Sequence, residues 1–154
     1  MISERDEILK GLRGGPVILP RLVRDLDDAT LRRRPSPGEW AIIEVLGHLG
    51  DTEERAVERT RRMIEEDEPA LAAYDQEALA VEHRYIELDA AQAVARYAEL
   101  RAAHLALLEP LDDAGWQRIG IHEEHGPITV QQHAAHMAGE DPDHFAQIAR
   151  LIAV

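Results

Sequence analysis

Near one end of the chain, HMAGEDPDHFAQI (residues 136–148) gathers two histidines and three carboxylates within nine positions. On an α-helix, residues four apart share a face and lie about 6 Å apart along the axis. Glu140 and His144 have that spacing, and so do His136 and Glu140. Each pair would place an imidazole and a carboxylate within reach of one divalent ion. His136 and His144 are two turns apart, roughly 12 Å, which is too far for a single ion. The residues alone leave both registers open. A third ligand must come from another element, and His48, in EVLGHLGDTE beside an apolar stripe, is the best candidate. Three protein ligands leave a coordination position free, which is the pattern of a catalytic site.

The same residues also fit the solvated polar face of a terminal helix. Pro142 decides between the two. It removes a backbone donor and costs about 3 kcal/mol in a helix interior. If Asp141 caps a new helix beginning at Pro142, the four-residue geometry is lost.

The other histidines divide by context. His104 lies on an apolar seam and reads as a hydrogen-bonded core residue. His83 and His133 read as surface positions. His122 and His125 fall in a connection before the last helix, near the mouth of any bundle site. His122 is the candidate catalytic group, as a proton carrier or substrate contact. Glu44 and Asp51 lie −4 and +3 from His48 and could orient its second ring nitrogen; both read more simply as exposed acids. Trp40 and Trp116 flank helix starts and read as packing anchors.

These side chains need a frame, and the periodicity supplies a helical one. Residues 3–27 carry leucines at helical spacing, with RGGP (13–16) expected to kink or break the run. Ser36 and Glu39 have capping-box spacing around Pro37. A second helix is expected from about Trp40 to Glu66, followed by a long crossover at 67–75 and a short helix near 76–84. Asp89 caps a third long helix carrying Val94, Tyr97, Leu100, His104, Leu107 and Leu111. Residues 112–128 read as an irregular connection, and Thr129 caps the last helix. Four main helices with long connections predict an all-α, four-helix bundle over one domain, 1–154. The runner-up is a less regular helical domain completed by dimerisation.

Composition narrows the partners. Thirty acidic residues against 17 basic ones give a net charge of −13. Nucleic acid and anionic membrane surfaces both demand a basic face, so neither is expected as a partner. There is no cysteine, so disulfides, thiolate ligands and a cysteine nucleophile are excluded, and any metal must be held by His, Asp and Glu. The N-terminal MISERDEILK lacks a signal-peptide core, and no apolar run approaches a membrane span of about 20 residues. A cytoplasmic location is expected.

The blocks RRRPSPGEWAIIEVLGHLGDTE, RRMIEEDEPALAAYD and WQRIGIHEEHGPITVQQHAAHMAGEDPDHFAQI resemble, in this order and over nearly the whole chain, the DinB/YfiT-like superfamily. The resemblance implies a four-helix bundle, often a homodimer, acting on a small molecule through a divalent metal. It implies His48, Glu140 and His144 as ligands, with His136 as neighbour. Many members carry histidine where this chain has Glu140. The branch similar to mycothiol-dependent maleylpyruvate isomerase uses a His, Glu, His set. Two nitrogens and a carboxylate suit zinc or nickel, and also iron or manganese. Relatives of this kind include transferases and isomerases that use a low-molecular-weight thiol. A metal-dependent enzyme, either a thiol-dependent transferase or isomerase or a hydrolase-like protein, is therefore one expectation. The other is a non-catalytic helical dimer, or a small-molecule-binding bundle, whose metal site is weak or lost.

Overall fold

The computed structural model describes residues 1–154. Four long helices carry the architecture: α1 (Glu4–Val23), α3 (Ile42–Glu65), α5 (Ala90–Leu108) and α7 (Val130–Ile152). Shorter elements join them: α2 (Asp28–Arg32), α4 (Gln76–Glu82), a 3-10 turn at Tyr85–Glu87 and α6 (Asp113–Trp116). In the bundle, α1 packs on α5 and α7, and α3 packs on the same two helices. Thus α1 and α3 lie across one diagonal and α5 and α7 across the other. The connections 24–41 and 109–129 therefore join helices across a diagonal, whereas 66–89 joins the neighbours α3 and α5.

Local chemistry fixes the helix ends. Ser3, Asp75, Asp89 and Thr129 each accept a hydrogen bond from a backbone N–H of the first turn that follows. Thr129 and Gln132 form a reciprocal capping box. The expected box at Ser36 and Glu39 is instead a turn, in which the Glu39 N–H donates to the Ser36 carbonyl. The helix starts later, and Glu44 reaches back to the Ala41 N–H at 3.0 Å.

The RGGP stretch does not break α1, and Pro142 does not break α7. Pro16 leaves the Leu12 carbonyl without its helical donor, and the Arg101 guanidinium donates to that oxygen at 2.8 Å. Gly15 lies under the same cluster, and a Cβ there would overlap the Tyr97 hydroxyl and an Asp141 carboxylate oxygen. The glycine and proline are thus fitted to a close contact between helices. Residues 112–128 are also more ordered than expected. They contain α6 and a hairpin, β2 (Ile119–His122) and β3 (Gly126–Thr129), with β1 (Ala70–Leu71) added parallel to β2. Arg118 ties the hairpin to the end of α3 through the Met63 and Glu66 carbonyls.

The core is layered. One apolar cluster holds Leu19, Leu46, Leu49, Tyr97, Phe145 and Ile148; the other holds Leu12, Met63, Leu108, Trp116, Val130 and Met137. Between them each long helix contributes to a buried polar layer: Gly15 in α1, Glu53 in α3, Arg101 in α5 and Asp141 in α7. Arg101 meets Glu53 through Nε and Nη2 at 2.9 and 3.0 Å, and Asp141 through Nη1 and Nη2 at 2.7 and 3.1 Å. With the Leu12 carbonyl, this uses all five of its donors. Tyr97 donates to Asp141, and His104 bonds Glu53 and Thr60 at 3.0 Å each. His104 is the core histidine its seam position indicates.

Candidate metal centre

α7 runs unbroken through Pro142, so the four-residue spacing on its face is real. Glu140 stands between two imidazoles. Its Oε1 is 3.1 Å from His136 Nε2, and its Oε2 is 3.1 Å from His144 Nε2. The two histidines differ in surroundings: the His136 side chain is 68% exposed and that of His144 only 16%.

His144 is built as a ligand would be. Its Nδ1 pairs with Gln147 Oε1 at 3.1 Å. An amide oxygen can only accept, so Nδ1 carries the proton and Nε2 presents its lone pair. Nε2 is buried and has no hydrogen-bond partner, despite its closeness to Glu140 Oε2. Two donors bound to one ion at about 2.1 Å stand roughly 3.0–3.4 Å apart. The Glu140–His144 pair has this separation without a hydrogen bond between its atoms.

His48, from the middle of α3, packs its ring against His144 with centroids 4.8 Å apart, and against Trp40 at 5.0 Å. Its Nε2 lies 3.4 Å from Thr52 Oγ1, which in turn contacts the Tyr74 hydroxyl at 3.2 Å. Burial, then the neighbouring His144, lowers its pKa to about 4, against a smaller opposing effect of Asp51. The ring is therefore neutral at pH 7, the form that binds metals. No three His, Asp or Glu side chains stand close enough together to hold an ion, here or elsewhere in the chain, so the structure does not bring His48 into ligating reach of the Glu140–His144 pair. The donor chemistry nevertheless fits a divalent ion, with one orphaned nitrogen, one adjacent carboxylate and one neutral imidazole from the facing helix.

Asp51 and Glu44 do not orient His48, and neither is exposed. Asp51 is buried and accepts from the Tyr85 hydroxyl, pairs with His83 Nδ1 at 2.6 Å, and binds Arg96 at 2.8 Å. His83 is thus only half-exposed, held by that carboxylate. Burial pulls Asp51 up, but these three partners hold its carboxyl below the usual range. Glu44 is taken by Arg34 in a fork of 2.7 and 2.9 Å.

A recess of about 540 Å3 opens beside His144, lined by Trp40, Glu39, Gln76, Gln147 and Arg150 among others. Trp40 is more than a packing anchor, since it borders both this recess and His48. His122 lies elsewhere, in a recess with Arg59, His125 and His136. His133 is buried, not on the surface, and burial lowers its pKa to about 3. The Arg101–Glu53–Asp141 layer was not foreseen from sequence. Arg101 carried a signal, a charged residue spaced four from Tyr97 and three from His104 on the apolar seam of α5.

The fold is a four-helix bundle in which a Glu140–His144 pair on α7 faces the His48 imidazole of α3. The chain belongs to the DinB superfamily, whose family model matches residues 12–148. It is 25% identical over 150 residues to a Bacillus subtilis protein described as "Putative metal-dependent hydrolase YfiT", covering 97% of this chain and 84% of that one. A Geobacillus kaustophilus protein of the same description is 28% identical, again over 97% of this chain and 84% of its own length. An Oceanobacillus iheyensis relative is 26% identical over 88% of this chain and 78% of its own. The solved structure of Bacillus subtilis YfiT matches with a TM-score of 0.89 at 25% identity, covering 96% of this chain and 85% of that one. That structure is described as having an unusual four-helix bundle topology. No helix of this chain is long and apolar enough to cross a membrane.

Proposed function

We propose that this protein is a divalent-metal-dependent enzyme acting on a small molecule, with His48, Glu140 and His144 as the ligands. The observation that carries the reading is His144 Nε2, a buried lone pair with no partner, beside a carboxylate and fixed from behind by Gln147. A buried polar atom without a partner is costly, and an ion is the species that would satisfy this one.

When bound, the ion would act as a Lewis acid that lowers the pKa of a coordinated nucleophile. The chain's own residues do the rest. His48 and His144 offer neutral nitrogens, and Gln147 keeps His144 in the ligating tautomer. Glu140 supplies one negative charge, and its other oxygen faces His136, a route for a proton between the centre and solvent. Trp40 keeps water from one side of His48, and the adjoining recess has room for a small substrate with Arg150 at its wall.

The descriptions of the relatives favour water as the nucleophile, hence hydrolysis. A low-molecular-weight thiol is the second reading; without cysteine in the chain, the thiol would arrive with the cosubstrate. Elemental analysis of protein purified without a histidine tag tests the centre. About one zinc or nickel per chain is expected, with loss in His48→Ala and in His144→Ala. Unchanged metal content in both variants would refute the assignment. Turnover of ester and amide panels, with and without added thiols, separates the two nucleophiles.

A further inference from the structure

A second recess, of about 230 Å3, lies between the hairpin and the first turns of α7. Its polar walls are Arg59 of α3, His122 and His125 of the hairpin, and Gln132, His133 and His136 of α7. No carboxylate lines it, in a chain with 30 acidic residues against 17 basic ones.

Three features there look for an acceptor. Arg59 is half-buried, makes no ion pair, and gives one N–H to the Ala72 carbonyl. Its other donors stay available. His122 Nδ1 accepts the backbone N–H groups of Glu124 and His125 at 3.1 and 3.3 Å. A neutral imidazole accepting at one nitrogen donates at the other, so His122 offers Nε2–H. His133 is 5% exposed, and its Nε2 is buried with no hydrogen-bond partner. The His125 ring stacks on His122 with centroids 4.6 Å apart, fixing the direction of that donor.

We propose that this recess binds an oxyanion, the carboxylate or phosphate group of a small molecule, with Arg59 as the charge partner and His122 and His133 as N–H donors. An anion would offset both the unpaired guanidinium and the orphaned imidazole. A cation fits poorly. Arg59 would repel it, and His122 presents a proton where a ligand needs a lone pair. The recess holds a group of a few heavy atoms, not a whole nucleotide. It is separate from the metal reading, although His136 stands between the two sites.

The test follows the imidazole 15N–1H resonances of the full chain while inorganic phosphate, and separately succinate, is added. Saturable shifts of His122 and His133 with at least one anion are expected, and the anion that binds identifies the group. Arg59→Gln should weaken binding at least about tenfold, by loss of a charge-assisted contact. His48→Ala should bind the anion as the parent does, so failure of the metal assignment leaves this result intact. No saturable shift with either anion overturns the proposal, as does unchanged affinity in Arg59→Gln. His122→Ala, at a partly exposed hairpin position, with the His133 resonance as the readout, replaces Arg59→Gln if that variant does not fold. It should weaken binding, and unchanged affinity there also overturns the proposal. Zinc producing the same shifts in His48→Ala would make the recess a cation site and refute it.

Discussion

At the scale of single residues, the proposed centre depends on a side chain that would never touch the ion. Gln147 fixes the tautomer of His144 through one 3.1 Å contact. Loss of such an outer partner typically costs 10–100-fold in metal affinity. Gln147→Ala should therefore retain its fold but bind zinc about tenfold or more weakly, read by competition with a chromophoric chelator. Unaltered affinity would mean that the tautomer is set some other way. Spacing made the face around Glu140 legible in the sequence, with His136 and His144 each four residues away, and the family resemblance chose between the two registers. The surroundings of His48 were not legible. Asp51 and Glu44 sit at orienting distances in the sequence, yet Tyr85, Arg96 and Arg34 claim them from distant positions. His133 was misread for the same reason, since the residues that cover it lie in other elements.

At the scale of elements, proline was the misleading signal. Local propensity places a break at Pro16 and at Pro142, and packing overrides it at both. At Pro16 the freed Leu12 carbonyl gains the Arg101 guanidinium, so the loss of a helical bond is offset. No side-chain donor is bonded to the Ala138 carbonyl, which Pro142 deprives of its regular helical N–H. Pro142 is exposed and in mid-helix. Pro142→Ala should then stabilise the fold by about 1–2 kcal/mol, from an interior cost of about 3 kcal/mol reduced by the chain stiffness that proline brings. Urea unfolding measures this, and metal content should not change because the 140–144 spacing persists. A destabilised variant would show that the helix needs the proline's local distortion. The caps of α5 and α7 were legible from Asp89 and Thr129, whose signals are local. The hairpin at 119–129 was not, because its strands are four residues each and its third strand comes from residues 70–71.

For the whole molecule, the buried polar layer makes stability depend on pH in one direction. Burial, with His104 and Arg59 nearby, lowers His133 to about 3, against 6.5 in the unfolded chain. Burial alone would raise Glu53, but its hydrogen bonds from His104 and Arg101 outweigh that and hold it at about 2, against 4.5. In both cases the unfolded chain binds more protons between the two values, so stability falls with falling pH. The contribution of His133 is complete above pH 6.5 and is lost on descent from 6.5 towards 3. That of Glu53 is complete above 4.5 and is lost on descent towards 2. Each proton contributes a slope of about 1.4 kcal/mol per pH unit within its window. Urea unfolding with a chelator present, so that metal release does not contribute, should show stability flat above pH 7 and declining from about 6.5. His133→Gln should roughly halve the slope between 6.5 and 4.5, where His48, lowered from 6.5 to about 4 by burial and the neighbouring His144, still contributes, and should leave the steeper acid leg in place, whatever its absolute stability. An unchanged upper leg would show that His133 protonates in the folded state, with water reaching a ring that the packing encloses.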